Sequence, residues 1–139
     1  MKPTERDIDI LARTVYGEAR GESDLGKLAV AHVVMNRVKA DVHGDGRPDW
    51  WGEGIAAVCL KPRQFTCWDD ANRLALMQAD LSDPAFARCL VAAIEAAHGL
   101  KPDPTGGATH YLGPGAARDW ARDKAYVTLG RHRFFTDVE

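Results

Sequence analysis

The chain contains no apolar run near the roughly 18 residues that a membrane-spanning helix requires. Its start, Met-Lys-Pro-Thr-Glu-Arg-Asp, has no apolar stretch of the signal-peptide kind, so export is expected to use another route. Positive charge is also scarce. Lys and Arg number 18 against 20 Asp and Glu, a net charge of −2, whereas a nucleic-acid-binding domain is usually basic. The 3 cysteines, Cys59, Cys67 and Cys89, are an odd number without metal-type spacing. A reduced protein without a disulfide framework is expected, with Cys59–Cys67 as the one pairing that would close a short loop. Internal repeats and low-complexity tracts are absent. What is there, 139 residues of which 45% are hydrophobic, suits a single domain over residues 1–139 with one core, expected to be monomeric.

Local signals divide the chain into helices followed by a small sheet. Thr4 with Asp7 three residues on reads as a capping box that opens a helix over about residues 4–20. Ser23 caps a second helix, about 24–40, whose apolar residues cover most of its circumference, the mark of a central buried helix. His32 and Asn36 interrupt it. They read as buried polar groups bonded to each other or to backbone, or else as support for a nearby site. Residues 41–53 are a loop by composition, in which Trp50-Trp51 either covers the core edge or stacks on a ligand. A short helix over 54–60 turns Ile55, Val58 and Cys59 inward and ends at Pro62. Residues 69–77 return to helix. Asp83-Pro84 signals the start of a helix over 84–98, with Phe86, Leu90, Ala93, Ile94 and Ala97 facing inward. After a Pro- and Gly-rich connector, strands are expected at 108–112, 126–129 and 132–135, the last two joined by a turn at Gly130-Arg131. Helices followed by a small antiparallel sheet form an α+β pattern. The basic residues between Arg118 and Arg133 read as a solvated face.

One acid stands out. Ile8, Leu11, Val15 and Glu18 share one helical stripe, which places Glu18 in line with core residues. Gly21 is expected to stop the helix, so Glu18 lies in its last turn. The helix end and partial burial both disfavour a negative charge there. Such a carboxyl suits a general acid, or is simply a Glu reaching the rim of the core. A glycosidase ordinarily uses two carboxylates. Glu22 is four residues on, but Gly21 is expected to separate the two. Asp69, Asp70 and Glu53 are loop candidates only.

Other chemistries have weaker signals. The histidines at 32, 43, 98, 110 and 132 form no tight zinc pattern, so no metal or other cofactor is expected, although His110, His132 and Asp69 could converge in space. Cys67 with His110 or His132 would imitate a cysteine peptidase, but Cys67 is not at a recognisable helix N-terminus.

Residues 12–23 (ARTVYGEARGES), 28–38 (LAVAHVVMNRV), 61–66 (KPRQFT), 103–114 (DPTGGATHYLGP), Trp120 and 127–135 (VTLGRHRFF) together resemble, in order, the SleB-type cell-wall hydrolases, the spore-cortex-lytic enzymes and their phage and bacterial relatives. The resemblance implies a lysozyme-like, mainly helical α+β domain with a small antiparallel sheet toward the C-terminus. It implies cleavage of peptidoglycan glycan strands at the β-1,4 bond after N-acetylmuramic acid, by a lytic transglycosylase with Glu18 as its one catalytic glutamate. It also implies that Gln64, Phe65, Tyr111 and His132 line the substrate cleft. The sequence departs from the spore enzymes at residues 44–51 and 69–82 and has no wall-binding repeat. Two alternatives stay open: a hydrolytic muramidase with a second carboxylate, and a non-catalytic glycan-binding or phage structural domain that stacks sugars on Trp50, Trp51, Phe65, Trp68 and Tyr111. Without a leader, a protein made in the cytoplasm would reach the wall as a phage or prophage endolysin does.

Overall fold

A computed structural model of the chain describes residues 2–40, 46 and 50–138. It contains α1 (Glu5–Ala19), α2 (Asp24–Lys39), α3 (Ile55–Leu60), α4 (Asp70–Gln78) and α5 (Pro84–Ala97), then the strands β1 (His110–Leu112), β2 (Val127–Leu129) and β3 (His132–Phe135). Single 3-10 turns lie at Thr66–Trp68 and Asp119–Ala121. The sheet has the order β1-β3-β2 and is antiparallel throughout. This is the expected α+β architecture. No helix among the described residues is long and apolar enough to cross a membrane.

The helix starts follow local chemistry. The Thr4 hydroxyl accepts from the Asp7 N–H at 3.0 Å, and the Asp7 carboxylate accepts from the Thr4 N–H at 3.0 Å, a complete capping box. Ser23 and Asp83 cap α2 and α5 through Gly26 and Ala85. At the other end α1 stops just before Gly21, with Glu18 in its last turn as expected, but not through a left-handed glycine. The helix ends at Ala19, Arg20 keeps a right-handed conformation, and Gly21 is not among the glycines with positive φ. The Glu22 N–H turns back to the Ala19 carbonyl at 2.9 Å, and the chain passes directly into the Ser23 cap.

The core lies among α1, α2 and α5, with α3 and the sheet closing it. Helix α2 is buried nearly all round, as its composition indicates, although Leu25 is half exposed. Its His32 reaches the Lys101 carbonyl at 3.1 Å, and Asn36 donates to Asp103 and to the Ala108 carbonyl at 2.8 and 2.9 Å. The two polar interruptions therefore hold the connector that leads into β1. Two expected faces are rotated. In α1 the fully buried stripe is Leu11, Ala12 and Val15, with Ala19 next, so Ile8 and Glu18 fall on its flank. In α5 the buried residues are Phe86, Cys89, Ala92, Ala93 and Ala96. Small residues let α5 pack closely against α1 and α2, and Ile94 is turned outward.

Trp51, Phe65 and Trp68 belong to the core, so they are no stacking platform for a sugar. Trp51 covers the core edge beside His110, while Trp50 is half exposed with Lys61 over its ring. The remainder of the expected 41–53 loop lies outside the described residues, apart from Gly46 and residues 50–53. Cys59, Cys67 and Cys89 are all buried free thiols.

Candidate active site

Glu18 is half-buried on the last turn of α1 and lies where two hollows meet. The first, about 500 Å³, runs along α1 toward α4 and is walled by Tyr16, Gly17, Thr66, Cys67, Asn72 and Leu76. The second, about 360 Å³, runs the other way, toward Glu22, Pro114, Arg131 and His132. Gly17, Glu18 and Arg20 line both, so one carboxyl group serves an extended depression.

Tyr111, on β1, donates its hydroxyl hydrogen to Glu18 Oε1. Its ring is wedged against His132 at 5.1 Å and Phe134 at 5.7 Å, neighbours supplied by β3. Burial pushes the Tyr111 hydroxyl well above its ordinary range, and the charge of Glu18 adds to this, so Tyr111 remains a donor.

Two buried cations support the site, and no sequence pattern singled them out. Arg37 on α2 is nearly enclosed, its guanidinium 5.2 Å from the Phe65 ring centre and 5.5 Å from that of Trp51. Its Nε donates to the Thr109 carbonyl at 2.7 Å. Burial lowers its affinity for the proton, while the nearby Tyr111 and Glu18 raise it. Lys27 donates to the Glu22 carbonyl beyond the end of α1. A positive charge is favoured at that pole of a helix.

Glu22 is 8% exposed and tied down. Its Oε1 accepts from the Arg131 backbone N–H at 2.9 Å and its Oε2 from Arg131 Nε at 3.0 Å. Gly130, at φ +60°, leaves the space this needs, because a Cβ there would stand 2.6 Å from Glu22 Oε1. Burial works against the charge of Glu22, but the Arg131 hydrogen bonds outweigh it and hold the carboxyl below its ordinary range. His132 Nδ1 lies 3.5 Å from Glu22 Oε1 without a hydrogen-bond partner among the described residues. Burial holds His132 below its usual value despite the two nearby glutamates.

Of the residues the resemblance implies, Tyr111 and His132 are brought to Glu18, whereas Gln64 and Phe65 are not. Gln64 spends its amide on the Val58 and Trp51 carbonyls, at 2.6 and 3.4 Å, and Phe65 is buried beneath Arg37. Their neighbours Thr66 and Cys67 form the wall instead. Asp69 and Asp70 line a separate hollow with Trp68, and Glu53 is exposed. Among the described residues no three His, Cys, Asp or Glu side chains converge as a metal-binding set, so His110, His132 and Asp69 do not come together. Burial pushes the Cys67 thiol far up, and Glu18 adds to it, which leaves no thiolate for a peptidase mechanism. Gly17 went unremarked in the sequence. A Cβ there would lie 2.4 Å from Cys67 Cβ, so glycine is what allows the 66–68 turn to pack against α1.

Known proteins are similar to this one over most of the chain. A spore cortex-lytic enzyme of Halalkalibacterium halodurans is 33% identical over 134 residues, covering 94% of this chain and 35% of that enzyme. The chain spans less than half the length of the curated relatives it matches. The crystal structure of the catalytic domain of the Bacillus cereus SleB protein is similar with a TM-score of 0.71 at 30% identity, covering 95% of this chain and 91% of that one. The catalytic domain of the germination-specific lytic transglycosylase SleB from Bacillus anthracis gives a TM-score of 0.73 at 30% identity, covering 95% of each. The profile of the cell wall hydrolases matches residues 21–135, and on that match the chain belongs to the cell wall hydrolase family.

Proposed function

We propose that this domain cuts peptidoglycan glycan strands at the β-1,4 bond between N-acetylmuramic acid and N-acetylglucosamine, as a lytic transglycosylase in which Glu18 is the one acid and base. The observation that carries this reading is the position of Glu18 where two hollows meet, so that a strand laid along the depression passes its carboxyl on both sides. Protonated Glu18 donates to the departing glycosidic oxygen as the bond to the muramic anomeric carbon breaks. The charge left on that sugar is oxocarbenium-like. The Glu18 carboxylate then takes the proton of the sugar's C6 hydroxyl, whose oxygen closes on the anomeric carbon as a 1,6-anhydro ring. The proton count is restored and no water is consumed. Tyr111, bonded to Oε1, holds the carboxyl in one orientation for both transfers.

The state of Glu22 supports this one-carboxylate route over a hydrolase that uses Glu22 to activate water, since Arg131 engages both its oxygens. The similarity to a catalytic domain named a germination-specific lytic transglycosylase points the same way. The test is Glu18→Gln, which keeps the shape of the side chain and removes its proton. The variant is expected to melt like the parent and to release almost no soluble fragments from purified sacculi. Activity within about tenfold of the parent, less than about 1.4 kcal/mol of barrier, would remove Glu18 from this role.

A further inference from the structure

The depression around Glu18 holds two arginines whose charges are not equivalent. Arg131 is committed to Glu22 through its backbone N–H and its Nε. Arg20, which follows α1, has no ion-pair partner among the described residues. Its guanidinium carbon stands 5.3 Å from the Tyr16 ring centre, and Nη1 donates to the Tyr16 hydroxyl oxygen at 3.3 Å. The Tyr16 hydroxyl in turn donates to Asp83 at 2.6 Å. The nearest carboxylate in this chain of contacts is thus one step removed, and it already accepts from Tyr16 and from the Ala85 N–H. Stacking and one hydrogen bond hold the guanidinium while most of its five N–H donors stay open. Arg20 is exposed and lines both hollows beside Glu18.

A glycan strand is neutral along its sugar backbone and offers the same β-1,4 linkage after either of its alternating sugars. Something must decide which sugar lies against the acid. The two sugars differ at O3, where only the muramic sugar carries a lactyl arm with a carboxyl group. We infer that Arg20 reads the anionic arm of the muramic sugar, either its lactyl carboxylate or the carboxylates of a peptide built on it, and so sets the register of the strand against Glu18. This rests on the proposed glycan-cleaving activity.

Binding and cleavage separate the two ideas. The Glu18→Gln protein, with and without Arg20→Gln, is titrated with labelled strands of three kinds: peptide-bearing, stripped to free lactyl carboxylates, and stripped and then amidated. The Glu18→Gln protein is expected to bind the carboxylate strands about fivefold more tightly than the amidated ones, as for a partly exposed ion pair. The gap should close on adding Arg20→Gln, be partly kept with Arg20→Lys, and shrink at high salt. If the stripped strands keep the preference, the lactyl carboxylate is the anion read. If only the peptide-bearing strands keep it, the peptide carboxylates are. A preference that survives Arg20→Gln, equal binding of all three strands, or no binding at all would overturn the inference. Release of soluble fragments by the parent is scored separately. Cleavage without an Arg20-dependent preference leaves the glycan-cleaving reading standing and this one not, whereas an Arg20-dependent preference without cleavage keeps the anion recognition by Arg20 and overturns the cleaving reading together with the register-setting role that rests on it.

Discussion

Tyr111 and Glu18 are joined by a hydrogen bond that spans 93 positions of the chain and ties the first strand to the last turn of the first helix. The contact explains why a half-buried carboxyl at a helix end has one defined orientation. It also makes Tyr111 a positioning residue. Tyr111→Phe keeps the ring that packs on His132 and Phe134 and removes only the donor. A hydrogen bond to a charged group contributes about 1.5–3 kcal/mol, so kcat on sacculi should fall roughly 10- to 100-fold. KM should stay near the parent value, because the surface of the depression is unchanged. A rise in KM at constant kcat would show that Tyr111 binds substrate and does not orient Glu18.

Acid should loosen the fold in two stages. Burial, helped by the positive charge of Arg37, pulls His110 from 6.5 down to about 4 in the folded protein. The unfolded chain therefore takes up this proton first, and stability falls between pH 6.5 and about 4. His132 is shifted in the same direction and adds to that stage. The second stage is shared by Asp80, Asp83 and Asp103, whose carboxyls are held below their ordinary range by hydrogen bonds, and by Glu22, whose folded-state value lies below its ordinary 4.5. Its contribution is complete above 4.5 and is lost as the pH drops through the folded value. Melting temperatures followed from pH 7 to pH 3 should show both slopes. His110→Gln should reduce the first slope, and Glu22→Gln should reduce the second while lowering the melting temperature at pH 7. A parent curve that is level from pH 7 to 4.5 would contradict the first stage.

Gly17→Ala should destabilise the protein, although alanine is by far the better helix former. The new methyl group would stand 2.4 Å from Cys67 Cβ and 2.8 Å from its Sγ. Overpacking of this kind costs about 1–3 kcal/mol, which urea unfolding would detect. Cys67→Gly in the same chain removes the atoms in conflict, so the pair should be less destabilised than the two single changes added together. Strict additivity would mean that the 66–68 turn does not rest on α1 through this contact.

The parts of the fold legible in the sequence are those decided within one turn of chain. Thr4 with Asp7, Ser23, and Asp83-Pro84 place three helix starts because each cap is a contact between near neighbours. The buried character of α2 and the Gly130-Arg131 turn are legible for the same reason, as patterns inside a single element. Which way α5 faces is not local. It depends on Cys89 and Ala92 fitting between two other helices, and an apolar count favours the larger Leu90 and Ile94. The site divides in the same way. Glu18 is visible from its place at the end of a helix, whereas Tyr111, Arg131 and Arg37 join the site through contacts 93, 109 and 72 positions apart. Gln64 and Phe65 sit beside the wall in sequence but turn their side chains into the core, which no spacing argument reveals.

The most direct test of a one-carboxylate lyase is the mass of its products. Sacculi digested with the parent protein are separated and weighed, with Glu18→Gln as the control. The expected result is fragments ending in 1,6-anhydromuramic acid, one water lighter than hydrolytic products, and almost none from the variant. Fragments ending mainly in reducing muramic acid would contradict the lyase mechanism, and comparable release by Glu18→Gln would contradict the role of Glu18 itself.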